Sequence, residues 1–476
     1  MGSRPDRTPW WAALAAGALS ALAWWFGSGL QPHWWLTWLA PLPLLWLAPR
    51  IRARWAALAA FVAFALGGLN QWSYLHERIH LPMPVTAYVI AMAALTLVPA
   101  LLLFRRLLRR GHPLAAALGV PVVWVAIEYL SSLLSPHGTF GSIAYTQMDA
   151  LPVIQLAAIT GLWGVSFLVL LVPAAIAVQT ARQASRRGRA ATAALTLLLL
   201  AATLGYGAWR LQVPATRTLR IGLVSLEHPI RPALDSPAGQ ALQTRYVQAI
   251  GRLADAGAQV VVIPETAFAT AGTSVPAFAD LARQRRLILD VGIDGKAQPH
   301  AERNMAMAFQ PHALAPATYS KHHLIPGFEN QYAPGAGYSL LDGAPRIGLA
   351  ICKDMDFHDI GRAYAARDAQ LLLVPAWDFG VDGWLHSRMA IMRGVESGFA
   401  IARVARSGRL TLSDDRGRVL AEASSETHEA ALVDSLPLRE THTLHGRWGE
   451  WFAWLDLAAL LALLGLALRG ERPRER

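Results

Sequence analysis

Three reactive side chains close apolar, strand-like runs in the middle of this 476-residue chain. Glu265 ends VVVIPE, Lys321 follows Tyr319-Ser320, and Cys352 ends RIGLAIC. In open α/β sheets, residues at the carboxyl ends of strands converge on one rim, where ligands bind. A carboxylate, an ammonium and a thiol meeting there form a set for covalent catalysis. The thiol needs a base to become the attacking thiolate, and a carboxylate supplies one. A lysine ammonium favours the thiolate and stabilises a tetrahedral oxyanion, one such donor being worth a factor of about 10² to 10³ in rate. Arginine brings charge but takes no part in proton transfer, which gives Lys321 a reason to exist in a chain whose only lysines are Lys296, Lys321 and Lys353. Singly, each residue also has an ordinary reading, as a solvated loop charge or, for Cys352, as buried packing. Cys352 is the one cysteine, so no intrachain disulfide exists.

Such a rim needs a sheet beneath it. Strands are predicted over 220–227, 259–265, 287–293, 304–309, 346–352, 370–375 and 399–405, and amphipathic helices over about 239–256, 275–285 and 386–397. This alternation predicts an α/β layered domain with its sheet covered by helices. The domain is placed at 218–438, between linkers at 212–218 and about 436–447.

The rest of the chain is different in kind. Hydrophobic residues make up 54% of the sequence, charged residues only 16%, and there are 18 tryptophans. A membrane-crossing helix needs about 20 apolar residues. Seven such runs fill residues 1–211, at roughly 9–27, 33–49, 55–73, 84–104, 114–135, 152–179 and 191–211. An eighth follows the domain at 451–468. The first has the length of a signal peptide but no small-residue cleavage site closes it.

The net charge of +11 is spread in short arginine clusters between these runs, which argues against a nucleic-acid-binding patch. Arg4 and Arg7, Arg50 to Arg54, Arg105 to Arg110, Arg182 to Arg189, and Arg469, Arg472, Arg474 and Arg476 all fall on one side of an eight-span arrangement. Basic loops stay cytoplasmic. Both termini are therefore expected in the cytoplasm and the domain outside, in a multi-pass protein of a bacterial inner membrane.

Longer words surround the reactive residues. IPETAF at 263–268, YSKHHLIPGFE at 319–329 and GLAICKDMDF at 348–357 resemble, in order, the three signature segments of the nitrilase, or carbon–nitrogen hydrolase, superfamily. That resemblance implies an α-β-β-α sandwich with Glu265 as general base, Lys321 as stabiliser of the oxyanion and Cys352 as nucleophile. It implies that Glu329 positions the lysine and substrate, and that the backbone N–H of Lys353 completes the oxyanion hole. With the apolar spans included, and with WVAIEYL at 124–130, GLWGVSFL at 161–168 and HSRMAIMRGVESG at 386–398, nearly the whole chain resembles the bacterial apolipoprotein N-acyltransferases. Members of that family move an acyl chain from a phospholipid, through a cysteine thioester, to the N-terminal amine of a lipoprotein.

The sequence departs from the family at several points. Lys353 stands where an aromatic is usual, Asp354 replaces a glutamate, and the family's other segments read PAWDFG (375–380), GTFGS (138–142) and SLEH (225–228). These changes mark a divergent branch and leave a membrane-anchored amidase, with water as acceptor, as the alternative.

No cofactor is expected, and no metal site, because His322, His323 and His358 lack spaced partner ligands. His386 reads as a packing or capping residue. Glu128 lies within an apolar span, where carboxylates are costly, and Arg393 and Glu396 read as a structural pair. Trp377 and Trp384 either line an acyl groove or cover the sheet. A transporter is disfavoured because the spans lack matched Gly/Pro-broken pairs and buried charges.

Overall fold

The computed structural model describes residues 9–227, 229–296 and 301–468. Arg4, Arg7, Arg469, Arg472, Arg474, Arg476 and His228 lie outside them. Among the described residues, seven helices are long and apolar enough to cross a membrane. The bundle opens with α1 (Trp10–Gly27). The expected span at 33–49 is not a single helix. Pro41 and Pro43 interrupt it, and it folds as α2 (Trp34–Thr37), α3 (Leu42–Leu47) and a 3₁₀ turn at Ala48–Arg50. A proline removes a backbone donor and its ring clashes with the preceding turn.

The interrupted segment still runs from one end of the bundle to the other. At its start, Gln147 Nε2 donates to Trp34 O at 3.0 Å. At its end, Arg105 Nε donates to Ala48 O and Arg50 Nη2 to Thr180 O, each at 3.0 Å. The next helix, α4 (Ala53–Gly68), lies parallel to α1, since Asn70, just beyond α4, donates to Trp25 O and Ser28 O at 2.8 Å. Two helices adjacent in this sense lie parallel only if the chain between them returns across the bundle. Helices α5 (Met83–Ala94) and α6 (Leu97–Arg109) make one rod with a break at Leu95–Thr96. Then come α7 (Pro113–Leu134), the short α8 (Leu151–Ile154) and α9 (Ala157–Thr160), α10 (Leu162–Gln179) and α11 (Arg186–Gln212).

The domain follows as β1 (Arg217–Ser225), α12 (Pro237–Asp255), β2 (Val260–Thr270), α13 (Pro276–Arg285), β3 (Ile288–Gly295), β4 (Arg303–Phe309), β5 (Ala317–Ser320), β6 (Ile347–Leu349), α14 (His358–Ala365), β7 (Leu371–Trp377), α15 (Gly383–Ser397), β8 (Ala400–Arg406), β9 (Arg409–Ser413), β10 (Val419–Ser424) and β11 (Ala430–Leu438). A short α16 (Leu444–Trp448) leads into α17 (Trp451–Leu468). The strands form two sheets, ordered β11-β1-β2-β3-β4-β5 and β10-β9-β8-β7-β6.

Alternation along β2 shows why they stack. Val260 and Val262 pack against Leu371 and Leu373 of the other sheet, while Val261 and Ile263 meet Leu242, Tyr246 and Phe278 of α12 and α13. On the far side, Leu372 and Val374 meet Ile360, Tyr364 and Ala390 of α14 and α15. The result is a four-layer α-β-β-α sandwich.

The expected linker at 436–447 is partly structured. β11 pairs with β1 through Arg217↔Leu438, so the chain enters and leaves the domain side by side. Helix α15 lies on the membrane region, its Leu385, Met389 and Met392 packing with Tyr129 and Trp163. At the opposite end of the bundle Arg106 Nε donates to Ala467 O at 2.6 Å, which gathers the last turn of α17 with the basic clusters.

Asp290 on β3 is fully buried, and burial, opposed only by the Val291 backbone N–H, pushes its carboxyl up to about 7. A carboxyl held above its unfolded value of 3.8 favours the fold at acid pH, and that contribution is lost as pH rises through about 7. Asp290→Asn is therefore expected to flatten the pH dependence of thermal unfolding between about pH 5 and 8 and to raise stability at the alkaline end by roughly 4 kcal/mol. Melting curves in detergent at the two pH values check it.

Candidate active site

Glu265 sits on a bulge. β2 and β3 pair in register up to Ile263 and again from Phe268, with Thr266 at φ 47° between. The bulge turns the side chain out of the strand's alternation. It fits because β3 carries Gly292 opposite: a Cβ there would lie 2.1 Å from Pro264 O and 2.5 Å from Glu265 Cα. Gly292→Ala must push the bulge aside, and displacement of a reacting group by about 1 Å costs about 10²-fold in rate. That loss, with the fold retained by circular dichroism, is the expected result.

Lys321 follows β5, its backbone N–H donating to Asn304 O at 2.9 Å. Its buried ammonium lies 2.6 Å from Glu265 Oε1 and 2.9 Å from Glu329 Oε2. Asn304 Nδ2 donates to the Oε1 atoms of both glutamates at 2.6 Å, and Ile325 N–H donates to Glu329 Oε2 at 2.7 Å. Cys352 ends the run from β6 with φ 44°, a left-handed conformation uncommon for a residue with a side chain, and opens a 3₁₀ turn, Cys352–Asp356. Its Sγ lies 3.6 Å from Trp377 O.

Asp354 joins these pieces. Its Oδ1 accepts from the N–H groups of His322 (3.0 Å) and His323 (2.9 Å), and its Oδ2 accepts from Ile351 N–H (3.0 Å) and the Tyr319 hydroxyl (2.8 Å). The loop after Lys321 and the turn at Cys352 are thereby clamped to one carboxylate. The Lys353 side chain points elsewhere, its Nζ 3.2 Å from His137 Nδ1 in the loop beyond α7.

Electrostatics follow from burial. The Cys352 thiol is pushed well above its ordinary range by burial and by Glu265, against the pull of Lys321. Burial alone would lower the Lys321 ammonium, but Glu265 and Glu329 hold it well above the usual lysine value. Burial and the neighbouring Glu329 raise Glu265 despite Lys321. Glu329 is lowered, because Lys321 and the Ile325 N–H outweigh its burial. The resting site thus holds a neutral thiol beside an ammonium flanked by two carboxyls, of which Glu265 is the more basic. That pairing suits proton withdrawal from the thiol in step with its attack.

A cavity of about 590 Å³ reaches Cys352. Phe328, Trp377 and Phe379 of the domain form one side of it, and Leu75, Ile79 and Val89 of the membrane region another. His386 lines it too, its Nε2 3.2 Å from Asp382 Oδ2, and Tyr74 of the membrane region donates to the same Oδ2 at 3.0 Å. Of the two tryptophans singled out, Trp377 lines this cavity, whereas Trp384 packs on the cluster between α15 and the membrane helices.

The remaining candidates have structural partners. Glu128 accepts from Trp124 Nε1 (2.9 Å), Ile143 N–H (2.9 Å) and Ser166 Oγ (2.7 Å), pinning the loop after α7 to α10. His322 stacks on Tyr319, and His323 on Phe357 with its Nε2 3.0 Å from Asp359. Ligand atoms of His358, Glu396 and His445 lie within 4.8 Å of one another, the spacing of a metal cluster. Arg393 stands among them, with Nη1 2.6 Å from Glu396 Oε2 and bonded to His358 Nδ1. A guanidinium already supplies the cation there, and the group ties α15 to α10 through Leu162 N–H, 2.6 Å from Glu396 Oε1.

Asn304, and the buried Arg403–Asp378 pair (2.9 Å) whose charges act on Cys352, were not legible beforehand. Asn304 begins a predicted strand and carries no local signal. Asp378 falls in PAWDFG, but its partner lies on a different strand.

Comparison with known proteins bears on the whole chain. Residues 16–175 match the apolipoprotein N-acyltransferase N-terminal domain, and residues 220–441 match the carbon–nitrogen hydrolase domain. The chain belongs to the apolipoprotein N-acyltransferase family. It is 28% identical to the apolipoprotein N-acyltransferase of Geobacter metallireducens, over 92% of this chain and 91% of that one. With the protein of that name from Azotobacter vinelandii the identity is also 28%, over 92% and 90%. Among solved structures, an amidase of the nitrilase superfamily from Nesterenkonia AN1 aligns at 25% identity and TM-score 0.40, over 48% of this chain and 93% of that one. The protein is thus a multi-pass membrane acyltransferase of the apolipoprotein N-acyltransferase family, with a carbon–nitrogen hydrolase domain.

Proposed function

We propose that this acyltransferase moves a fatty acyl chain from a phospholipid to the N-terminal amine of a lipoprotein, with Cys352 carrying the chain as a thioester. The observation that carries the reading is the cavity at Cys352. Its walls come from the domain and from apolar side chains of the membrane region, Leu75, Ile79 and Val89. A thiol at the meeting of a soluble fold and a bilayer region suits a lipid ester, whereas hydrolysis of small amides needs no such wall.

In this reading Glu265 withdraws the thiol proton as sulfur attacks the ester carbonyl. Lys321, with the backbone N–H of Lys353, stabilises the oxyanion, and the lysophospholipid leaves with the proton from Glu265. The amine then attacks the thioester and Glu265 accepts its proton. Glu329 and Asn304 hold Lys321 and Glu265 in register, and Asp354 fixes the turn that presents Cys352. The arginine-rich end of the bundle lies in the cytoplasm by the positive-inside preference. That places the domain on the outer face of the inner membrane and both termini inside.

Incubation of the purified enzyme with phospholipid, followed by intact-protein mass spectrometry, tests the reading. A long-chain acyl adduct on Cys352 that disappears when a diacylglyceryl-cysteinyl peptide is added is the expected result. Turnover of small amides with no adduct from lipid would replace it with the amidase alternative.

A further inference from the structure

The cavity at Cys352 is apolar along the membrane region and charged beside the nucleophile, where Lys353, Asp356, His137 and His386 line it. Lys353 Nζ lies 3.2 Å from His137 Nδ1 and 3.5 Å from Asp356 Oδ2, and Asp356 Oδ1 lies 3.9 Å from His386 Nδ1. The backbone brings these groups together. Thr139 donates to Asp356 O twice, from its N–H at 3.0 Å and from its Oγ1 at 2.7 Å. A Cβ on Gly138 would stand 2.5 Å from the same oxygen. The loop after α7 is thus pressed onto the turn that carries Cys352, and His137 comes to rest beside Lys353.

Donors outnumber acceptors at this end of the cavity. An ammonium has three N–H donors, and His137 and Asp356 engage two of them. The third has no partner among the described residues. Burial and the neighbouring Lys353 lower His137 below its ordinary value, against Asp356. As a neutral ring it accepts at Nδ1 and keeps a proton to donate at Nε2. Burial would lower His386 too, but Asp382 and Asp356 raise it. Asp356 is the one carboxylate in the lining among the described residues, and it already faces Lys353 and His386.

We infer that Lys353 and His137 seat the phosphate of the donor lipid. This rests on the transfer reading above. A phosphodiester is the anion that spare N–H donors on a lysine and a histidine suit. Position fits as well. The reacting ester and the phosphate of a glycerophospholipid are one glycerol unit apart, and Cys352 and Lys353 are consecutive. The acyl chains then lie against Leu75, Ile79 and Val89. Lys353 stands where an aromatic is usual, so the charge is this chain's own means of holding its donor.

The experiment compares two donors in the full-length enzyme, phosphatidylethanolamine and a diacylglycerol with the same acyl chains but no phosphate. Both are presented in detergent micelles, and the Cys352 adduct is followed by intact mass. Wild type is expected to load faster from the phospholipid, and Lys353→Gln to lower the ratio of the two rates about 10-fold, the weight of one hydrogen bond from a charged donor. Asp356→Asn removes the competing carboxylate and is expected to raise the ratio. Inorganic phosphate is expected to slow loading from the phospholipid and not from the diacylglycerol. An equal effect of phosphate on both donors would put free phosphate, not the lipid's, at Lys353 and overturn the inference. A wild-type ratio near one, or a loss in Lys353→Gln that is equal for both donors, also overturns it and leaves the transfer reading standing. A wild type that takes an adduct from neither lipid overturns the transfer reading, and the inference with it.

Discussion

Cys352→Ala is expected to abolish the acyl adduct and to lower transfer by at least about 10⁴-fold, because no other group in the site offers a nucleophile. Cys352 is the one cysteine in the chain, so no second thiol can substitute. The fold is expected to survive. The side chain is small, and its recorded polar contact is the 3.6 Å approach to Trp377 O. Two measurements check this together: intact mass after incubation with phospholipid, and thermal unfolding beside wild type. In a bacterium depleted of its own lipoprotein N-acyltransferase, wild type should restore growth and Cys352→Ala should not. Rescue by the alanine variant would remove the covalent mechanism altogether.

Lys321→Met is expected to be nearly as severe for a different reason. Its ammonium is fully buried between Glu265 and Glu329, at 2.6 and 2.9 Å. Removing it takes away the oxyanion donor, about 10² to 10³ in rate, and leaves two buried carboxyls without a countercharge. Breaking a buried pair in this way costs roughly 3–5 kcal/mol, so a lower melting temperature should accompany the loss. One carboxyl would then hold a proton at neutral pH, which also disables the base. Lys321→Arg should fail as well. The planar guanidinium does not fit between two carboxylates that share one Asn304 amide, at 2.6 Å to each. Activity in that variant near the wild-type level would show that charge alone suffices.

Much of the fold was legible because it rests on local periodicity. Val260–Ile263 alternate between the two faces of a doubly covered sheet, and a run of that kind reads as a strand whatever surrounds it. The strands that were missed, β5 and β9–β11, lack a continuous run of β-branched residues. β10 is an edge strand with exposed Val419 and Leu420, and β11 carries Pro437, which is tolerated only where a strand has a free edge. The second membrane segment was misjudged as one helix because composition registers hydrophobicity, while Pro41 and Pro43 act on backbone hydrogen bonds. Its crossing shows only in which ends of the bundle its two termini touch.

By itself the sequence determined the class of chemistry and its setting, since reactive residue types at strand ends and long apolar runs are written in local order. The tertiary structure decided which groups share one environment. Asn304, Asp378 and Arg403 joined the site only when distant strands were brought side by side. Lys353 turned away toward His137, and two members of the metal-like His358, Glu396 and His445 group proved to be bonded to Arg393. The physical reason is range. Secondary structure and membrane insertion depend on neighbours within a few turns, whereas burial, proton affinity and cavity shape depend on atoms that only folding brings together.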